Sequence, residues 1–125
     1  MEAFKVKGGK KLSGTIKPQG AKNEALQVIS AVLLTEEKVI IDNIPNIIDV
    51  NRLIDLLKCM GVSIEKINEH KYSFEASSID LDYLKTEEFE EKAKGLRGSI
   101  MIIGPLLSRF GYASIPKPGG DKIGR

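Results

Sequence analysis

The sequence predicts a mixed α/β domain of the α+β kind, with helices and strands alternating in units, rather than a bundle or a sandwich. Short runs that alternate apolar and polar residues recur along the chain, at "AFKVKG", "LSGTIKP", "VSIEKI" and "KYSFEA". Other segments carry apolar residues at spacings of three and four, as in "AKNEALQVISAVLLTEE". Glycine and proline stand at the joints between the two kinds of segment.

Taken in order, "AFKVKG" and "LSGTIKP" read as two strands turning at Gly8 and Gly9, the second ended by Pro18 and Gly20. Ala21, Ala25, Leu26, Ile29, Val32 and Leu33 then form one face of a helix. "KVIIDNI" is a strand bounded by Asn43 and Pro45. "DVNRLIDLLKCMG" is a helix, with Asp49 as its N-cap and Gly61 as its stop. Cys59, near its end, reads as a small boundary residue rather than a reactive thiol. "VSIEKI" and "KYSFEA" make a hairpin across "NEH", which leaves His70 solvated. "TEEFEEKAKG" has its acids early, as the first turns of a helix prefer. "LRGSIMIIGPLLSRFG" is apolar nearly all round. It predicts a buried helix kinked at Pro105, with Gly98 and Gly104 allowing close packing. "YASIP" is a last strand, and the expected order is β-β-α-β-α-β-β-α-β.

Composition narrows the function. The 125 residues are 42% hydrophobic and 29% charged, enough for one core. A net charge of +2, with lysines mixed among acids, gives no nucleic-acid footprint. One cysteine and one histidine leave no internal disulfide and no zinc set, and they fit a reducing compartment. The start "MEAFKVKGGKK" has no apolar leader, and "SIMIIGPLL" is too short to span a bilayer. The expectation is therefore a cytoplasmic protein with no membrane and no nucleic-acid partner. The chain stops inside the Gly/Pro loop "IPKPGGDKIGR", which reads as a cut chain rather than a natural end.

Three places carry candidate chemistry. In "GAKNEAL", Lys22 and Asn23 fall in the first turn of a helix, where free N–H groups and the dipole already favour an anion. A lysine there opposes the dipole, so it is either a surface lysine or one that holds a phosphate or carboxylate. In "GLRGS", Arg97 opens the most apolar helix between Gly95 and Gly98; it either pairs with the preceding acids or faces a cleft. On the final loop, Asp121 stands beside Lys122 and Arg125. It is a turn residue, an ionised carboxylate or, once a ligand closes the loop, a proton donor. Together these residues suit a site that closes over a phosphorylated or carboxylated small molecule.

The ordered set "GAKNEAL", "NIPNIIDV", "LRGSI", "GPLLSRFG" and "PGGDKIG" resembles the enolpyruvyl transferases over the whole chain, and within them the branch acting on a UDP-sugar. The resemblance implies a two-lobed fold built from βαβαββ units, here incomplete. Residues 1–20 would belong to the other lobe. Residues 21–125 would form a partial catalytic lobe truncated in the active-site loop, an N-terminal piece inactive without the C-terminal lobe. It implies transfer of the enolpyruvyl group from phosphoenolpyruvate to the 3′-hydroxyl of UDP-N-acetylglucosamine, with release of phosphate and no metal or organic cofactor. This is the first committed step of peptidoglycan synthesis. Lys22 would hold phosphoenolpyruvate, Asn23 the ligands beside it, and Arg97 would line the UDP-sugar site. The family loop has a cysteine where this chain has Asp121; that cysteine is the proton donor and the thiol that fosfomycin alkylates. Some members carry aspartate there, so Asp121 is expected to be the general acid of an enzyme that resists fosfomycin. Arg125 falls on the variable position beside the family arginine, and Met101 where many members have tryptophan. The alternatives are the sibling enzyme acting on shikimate 3-phosphate and a non-catalytic anion-binding α/β module.

Overall fold

The computed structural model describes residues 3–117. The elements run α1 (Lys22–Ala31), β1 (Val39–Ile41), α2 (Ile48–Cys59), β2 (Ser63–Asn68), β3 (Lys71–Glu75), α3 (Glu87–Lys94) and α4 (Ile103–Phe110). Short 3-10 turns lie at Val32–Leu34, Tyr83–Lys85 and Arg97–Ile102. The mixed α/β class is as expected, and 22–75 follows the βαβαββ order without its first strand.

The sheet is antiparallel in the order β1-β3-β2. Its registers pair Val39 with Phe74 and Ile41 with Tyr72, then Ile64 with Phe74 and Lys66 with Tyr72. Alternation turns Val39 and Ile41 toward the core and leaves Ile40 exposed. Phe74, on the central strand, is fully buried with Ile29, Leu33, Leu53, Leu57, Met60, Ile102 and Leu106. Apart from Phe74 itself, these residues come from α1, α2 and α4 and from the 3-10 turns and cap that adjoin them, so the helical segments close the sheet's inner face.

Local chemistry sets the ends of the elements. α2 stops at Gly61, whose φ of +99° suits glycine; a Cβ there would lie 2.3 Å from the Ser78 carbonyl oxygen. Thr86 caps α3, its hydroxyl accepting from the Phe89 N–H at 3.2 Å. Arg109, from α4, reaches back across the core edge to the carbonyls of Leu33, Thr35 and Ala76.

Several expectations are corrected. Residues 3–20 form no strand; Phe4, Val6, Leu12 and Ile16 are 90–102% exposed. A strand needs a paired edge, and these segments have none among the described residues. "YASIP" is not a strand either, although Ala113 and Ile115 pack against the core. Asp49 is not the N-cap of α2: Ile47 holds that position and Asp49 lies in the first turn. The single kinked helix at 96–111 is instead a 3-10 turn followed by α4. Pro105 has no N–H to donate, so it fits the first turn of α4, where none is required. Nor is that segment buried all round, since Ile100, Met101 and Leu107 are exposed. Gly98 does allow close packing, on Leu26, whereas a Cβ on Gly104 would meet open space. His70 is exposed, yet its ring Nδ1 lies 2.9 Å from the Ile44 carbonyl oxygen and ties the hairpin to the loop before α2.

Candidate functional site

The site forms where three helical segments begin side by side. Gly20 fixes the first: a Cβ there would sit 2.0 Å from the Asn43 carbonyl oxygen, so only glycine lets the chain pass the end of β1. α1 therefore starts beside the loop that leads into α2. Neither helix has a capping side chain at its N-terminus, so backbone N–H groups are left at both.

Lys22 and Asp49 face each other across that gap and form an ion pair. The partnership follows from the dipoles. Asp49 suits the first turn of α2, whereas Lys22 is unfavourable in the first turn of α1, and the pair offsets that cost. Lys22 is thus neither a bare anion hook nor a loose surface lysine. Its side chain is still 49% exposed, and an ammonium has three donors, so Asp49 leaves capacity for an anion. Both residues line a recess of about 530 Å³ with Asn46, Ile47, Ile48 and Asn51. The Asn51 side chain donates to the Asn46 side-chain oxygen at 2.9 Å.

Arg97 opens the third segment. Gly98 rests on Leu26, one turn along α1 from Lys22. Arg52, one turn into α2, donates to the Gly95 carbonyl at 3.3 Å. These two contacts bring the start of the 97–102 segment to the starts of α1 and α2. Arg97 is exposed and makes no ion pair with any described residue. The expected alternative, pairing with the preceding acids, is not what is found: Glu88 and Glu90 pair with Lys92 and Lys94. Asn23 is exposed next to Lys22. Asp121, Lys122 and Arg125 lie outside the described residues.

The residues that sequence reasoning missed are Asp49 as the partner of Lys22, and Asn46, Asn51 and Arg52 around it. An acid in the first turn of the next helix was visible at "NIIDV", but only the fold puts that turn beside Lys22. Among the described residues no cluster of histidine, cysteine and acids could hold a metal, and no helix is long and apolar enough to cross a membrane.

The profile of the family described as EPSP synthase (3-phosphoshikimate 1-carboxyvinyltransferase) matches residues 6–125. Over all 125 residues the chain is similar, at 56% identity, to the UDP-N-acetylglucosamine 1-carboxyvinyltransferases of Porphyromonas gingivalis and Bacteroides fragilis. It is 37% identical over 124 residues to the protein of that name from Wolinella succinogenes, covering 99% of this chain and 28% of that one. The chain spans about 29% of the length of the first two relatives. Among solved structures, the enolpyruvyl transferase NikO from Streptomyces tendae matches with a TM-score of 0.69 at 24% identity, covering 83% of this chain and 23% of that one. At that identity the likeness speaks to the fold.

Proposed function

We propose a function from one premise: the chain belongs to the EPSP synthase (3-phosphoshikimate 1-carboxyvinyltransferase) family. In this reading the whole protein is a cytoplasmic enzyme that transfers the enolpyruvyl group of phosphoenolpyruvate to the 3′-hydroxyl of UDP-N-acetylglucosamine. It releases phosphate and so feeds peptidoglycan synthesis. The observation that carries the choice of substrate is the 56% identity, over every residue of this chain, to relatives bearing that activity in their name.

Residues 21–125 are then part of one catalytic lobe, and residues 1–20 belong to the other. The exposed, alternating Phe4, Val6, Leu12 and Ile16 support this, because such a pattern suits strands covered elsewhere. Lys22 binds the phosphate or carboxylate of phosphoenolpyruvate from the recess where Asp49 holds it. The capless starts of α1 and α2 add backbone donors for the same anion. Asn23 and Arg97 contact the sugar nucleotide, and Arg125 lies at the edge of its site. Asp121 donates a proton during addition; a carboxyl does this when closure of the loop removes water and raises its pKa. It does not react with fosfomycin as a thiolate would.

The test is phosphate release by the whole protein, given phosphoenolpyruvate with either UDP-N-acetylglucosamine or shikimate 3-phosphate, with and without fosfomycin. Release with the UDP-sugar alone, unaffected by the drug, is the expected result. Asp121→Cys should then bring drug sensitivity with activity retained. The matching family profile spans both kinds of enolpyruvyl transferase and so does not favour the shikimate 3-phosphate enzyme; release with that substrate would overturn the proposal.

A further inference from the structure

The loop that leads from β1 into α2 is held by the start of β3. His70, in the turn before β3, grips Ile44 twice. The His70 carbonyl accepts from the Ile44 N–H at 2.8 Å, and the ring Nδ1 lies 2.9 Å from the Ile44 carbonyl oxygen. A carbonyl oxygen only accepts, so Nδ1 carries the proton and donates. The His70 N–H in turn donates to the Asn68 side chain at 2.8 Å, which sets the turn. Lys71, the next residue, pairs with Asp42 at 3.4 Å, and the Asp42 carboxylate accepts from the Asn43 N–H at 2.7 Å.

Between these holds, Asn43 has a φ of +58°, a left-handed conformation that a residue with a side chain keeps where its surroundings enforce it. Its carbonyl lies against Gly20, two residues before Lys22, and Pro45 packs on the same glycine. Ile44 is buried, and the loop goes on to Ile47, the N-cap of α2, with Asp49 in the turn that follows. The loop therefore touches both arms of the site. A shift of Ile44 changes how Lys22 and Asp49 face each other. The segment that bears Arg97 bypasses this loop, being tied to α1 through Gly98 on Leu26 and to α2 through Arg52 on the Gly95 carbonyl.

We propose that His70 is a positioning residue for the Lys22–Asp49 pair. Its Nδ1–H fixes the Ile44 carbonyl, and through it the loop 43–47 and the entry of α2. The neutral Nδ1–H tautomer and the imidazolium both donate, so the role does not depend on the ring's charge. Its kinetic consequence rests on the transferase reading; the hold on the loop does not.

The experiment compares His70→Ala, His70→Asn and His70→Gln in the whole protein. The asparagine amide nitrogen stands as far from Cβ as Nδ1 does, and the glutamine amide one bond farther. His70→Ala and His70→Gln should raise the KM for phosphoenolpyruvate about fivefold, the effect of losing one such hydrogen bond, and leave the KM for UDP-N-acetylglucosamine unchanged. His70→Asn should restore the parent value. Gly61→Ala, which destabilises the other end of α2, should leave both KM values alone, so lost stability and lost position are told apart. Amide hydrogen exchange in peptides covering 20–26 and 43–51 reads the hold on the loop without any activity. It should quicken in His70→Ala and His70→Gln and match the parent in His70→Asn. Unchanged exchange in His70→Ala would overturn the proposal. So would equal rises in the two KM values, or a His70→Asn variant that behaves as His70→Ala does. A parent without turnover would overturn the transferase reading, and exchange alone would then decide for or against the hold on the loop.

Discussion

Replacing Arg109 by alanine removes the link between α4 and two other parts of the core edge. The guanidinium donates to the carbonyls of Leu33 at 3.1 Å, Thr35 at 3.2 Å and Ala76 at 2.7 Å, and meets the Glu36 carboxylate at 3.0 Å. It also lies 4.7 Å from the centre of the Phe110 ring. The side chain is 14% exposed, whereas Glu36 is 73% exposed. The Glu36 pair is therefore screened and contributes under about 1 kcal/mol. The carbonyls matter more: each loses a charged donor and regains water only in part, which costs about 1 kcal/mol apiece. Loss of the ring contact adds about 0.5 kcal/mol. Arg109→Ala should thus destabilise by about 3–4 kcal/mol, a large share of the 5–15 kcal/mol typical of domains. Arg109→Lys keeps the charge but not the fork and should lose about half as much. Urea denaturation followed by circular dichroism measures this as a midpoint about 1–3 M lower at unchanged slope. A loss within about 0.5 kcal/mol would refute the reasoning. A Glu36→Gln loss as large as that of Arg109→Ala would refute it too, by showing that the ion pair outweighs the carbonyls.

Gly61→Ala should cost more than about 1 kcal/mol in thermal unfolding, because its φ is +99° and the new Cβ would press on the Ser78 carbonyl. The Asp42 carboxyl is held below the usual range, first by the Asn43 N–H at 2.7 Å and then by Lys71. Its stabilising effect is therefore present at neutral pH and is lost as pH falls below about 4, where the unfolded chain binds the proton first. Asp42→Asn should flatten that part of the acid limb in a series of urea midpoints against pH, and an unchanged limb would count against it. Asp49→Asn removes the charge that positions Lys22. In the proposed transferase reading, the variant of the whole protein should show a KM for phosphoenolpyruvate raised, or a kcat lowered, by about tenfold while the urea midpoint stays near the parent value, since the pair is exposed. Parent kinetics in that variant would remove Asp49 from the site.

What was legible in the sequence is what local chemistry dictates. The 3-and-4 spacing from Ala25 to Leu33 gave α1, the "NEH" turn gave the hairpin of β2 and β3, and Gly61 marked the end of α2 because its backbone conformation demands glycine. What failed depended on partners elsewhere in the fold. "AFKVKG" and "LSGTIKP" alternate as strands do, but a strand exists only against another strand. Pro105 was visible as a disruption of the 96–111 helix. Its place in the first turn of a new helix that begins at Ile103, rather than at a kink in one long helix, was not legible from the residue alone. At the site, Lys22 could be picked out because a cation is out of place in a first turn. Asp49 could not, because an acid in a first turn is ordinary until the fold sets it beside Lys22.

α2 joins the Lys22 recess to the one thiol of this chain. Its first turn bears Asp49 and its last residue is Cys59. Twelve residues of helix put about 18 Å between its ends. That separation governs how thiol chemistry on this protein is to be interpreted. Position 121 is aspartate, and Cys59 is the one cysteine among these 125 residues. A reagent that reacts with this segment through a thiol therefore reacts at Cys59, a helix length from the Asp49 that pairs with Lys22. Loss of activity on such treatment, traced to the Cys59 peptide, would have to act through the pairing of α2 with α3 by Lys92 and Asp55. α3 runs directly into Gly95, Leu96 and Arg97, so a shift of α3 would reach Arg97 before it reached Lys22. In the proposed transferase reading, modification of Cys59 should on this ground weaken binding of the UDP-sugar more than binding of phosphoenolpyruvate, whereas direct blockage of the Lys22 recess would do the reverse.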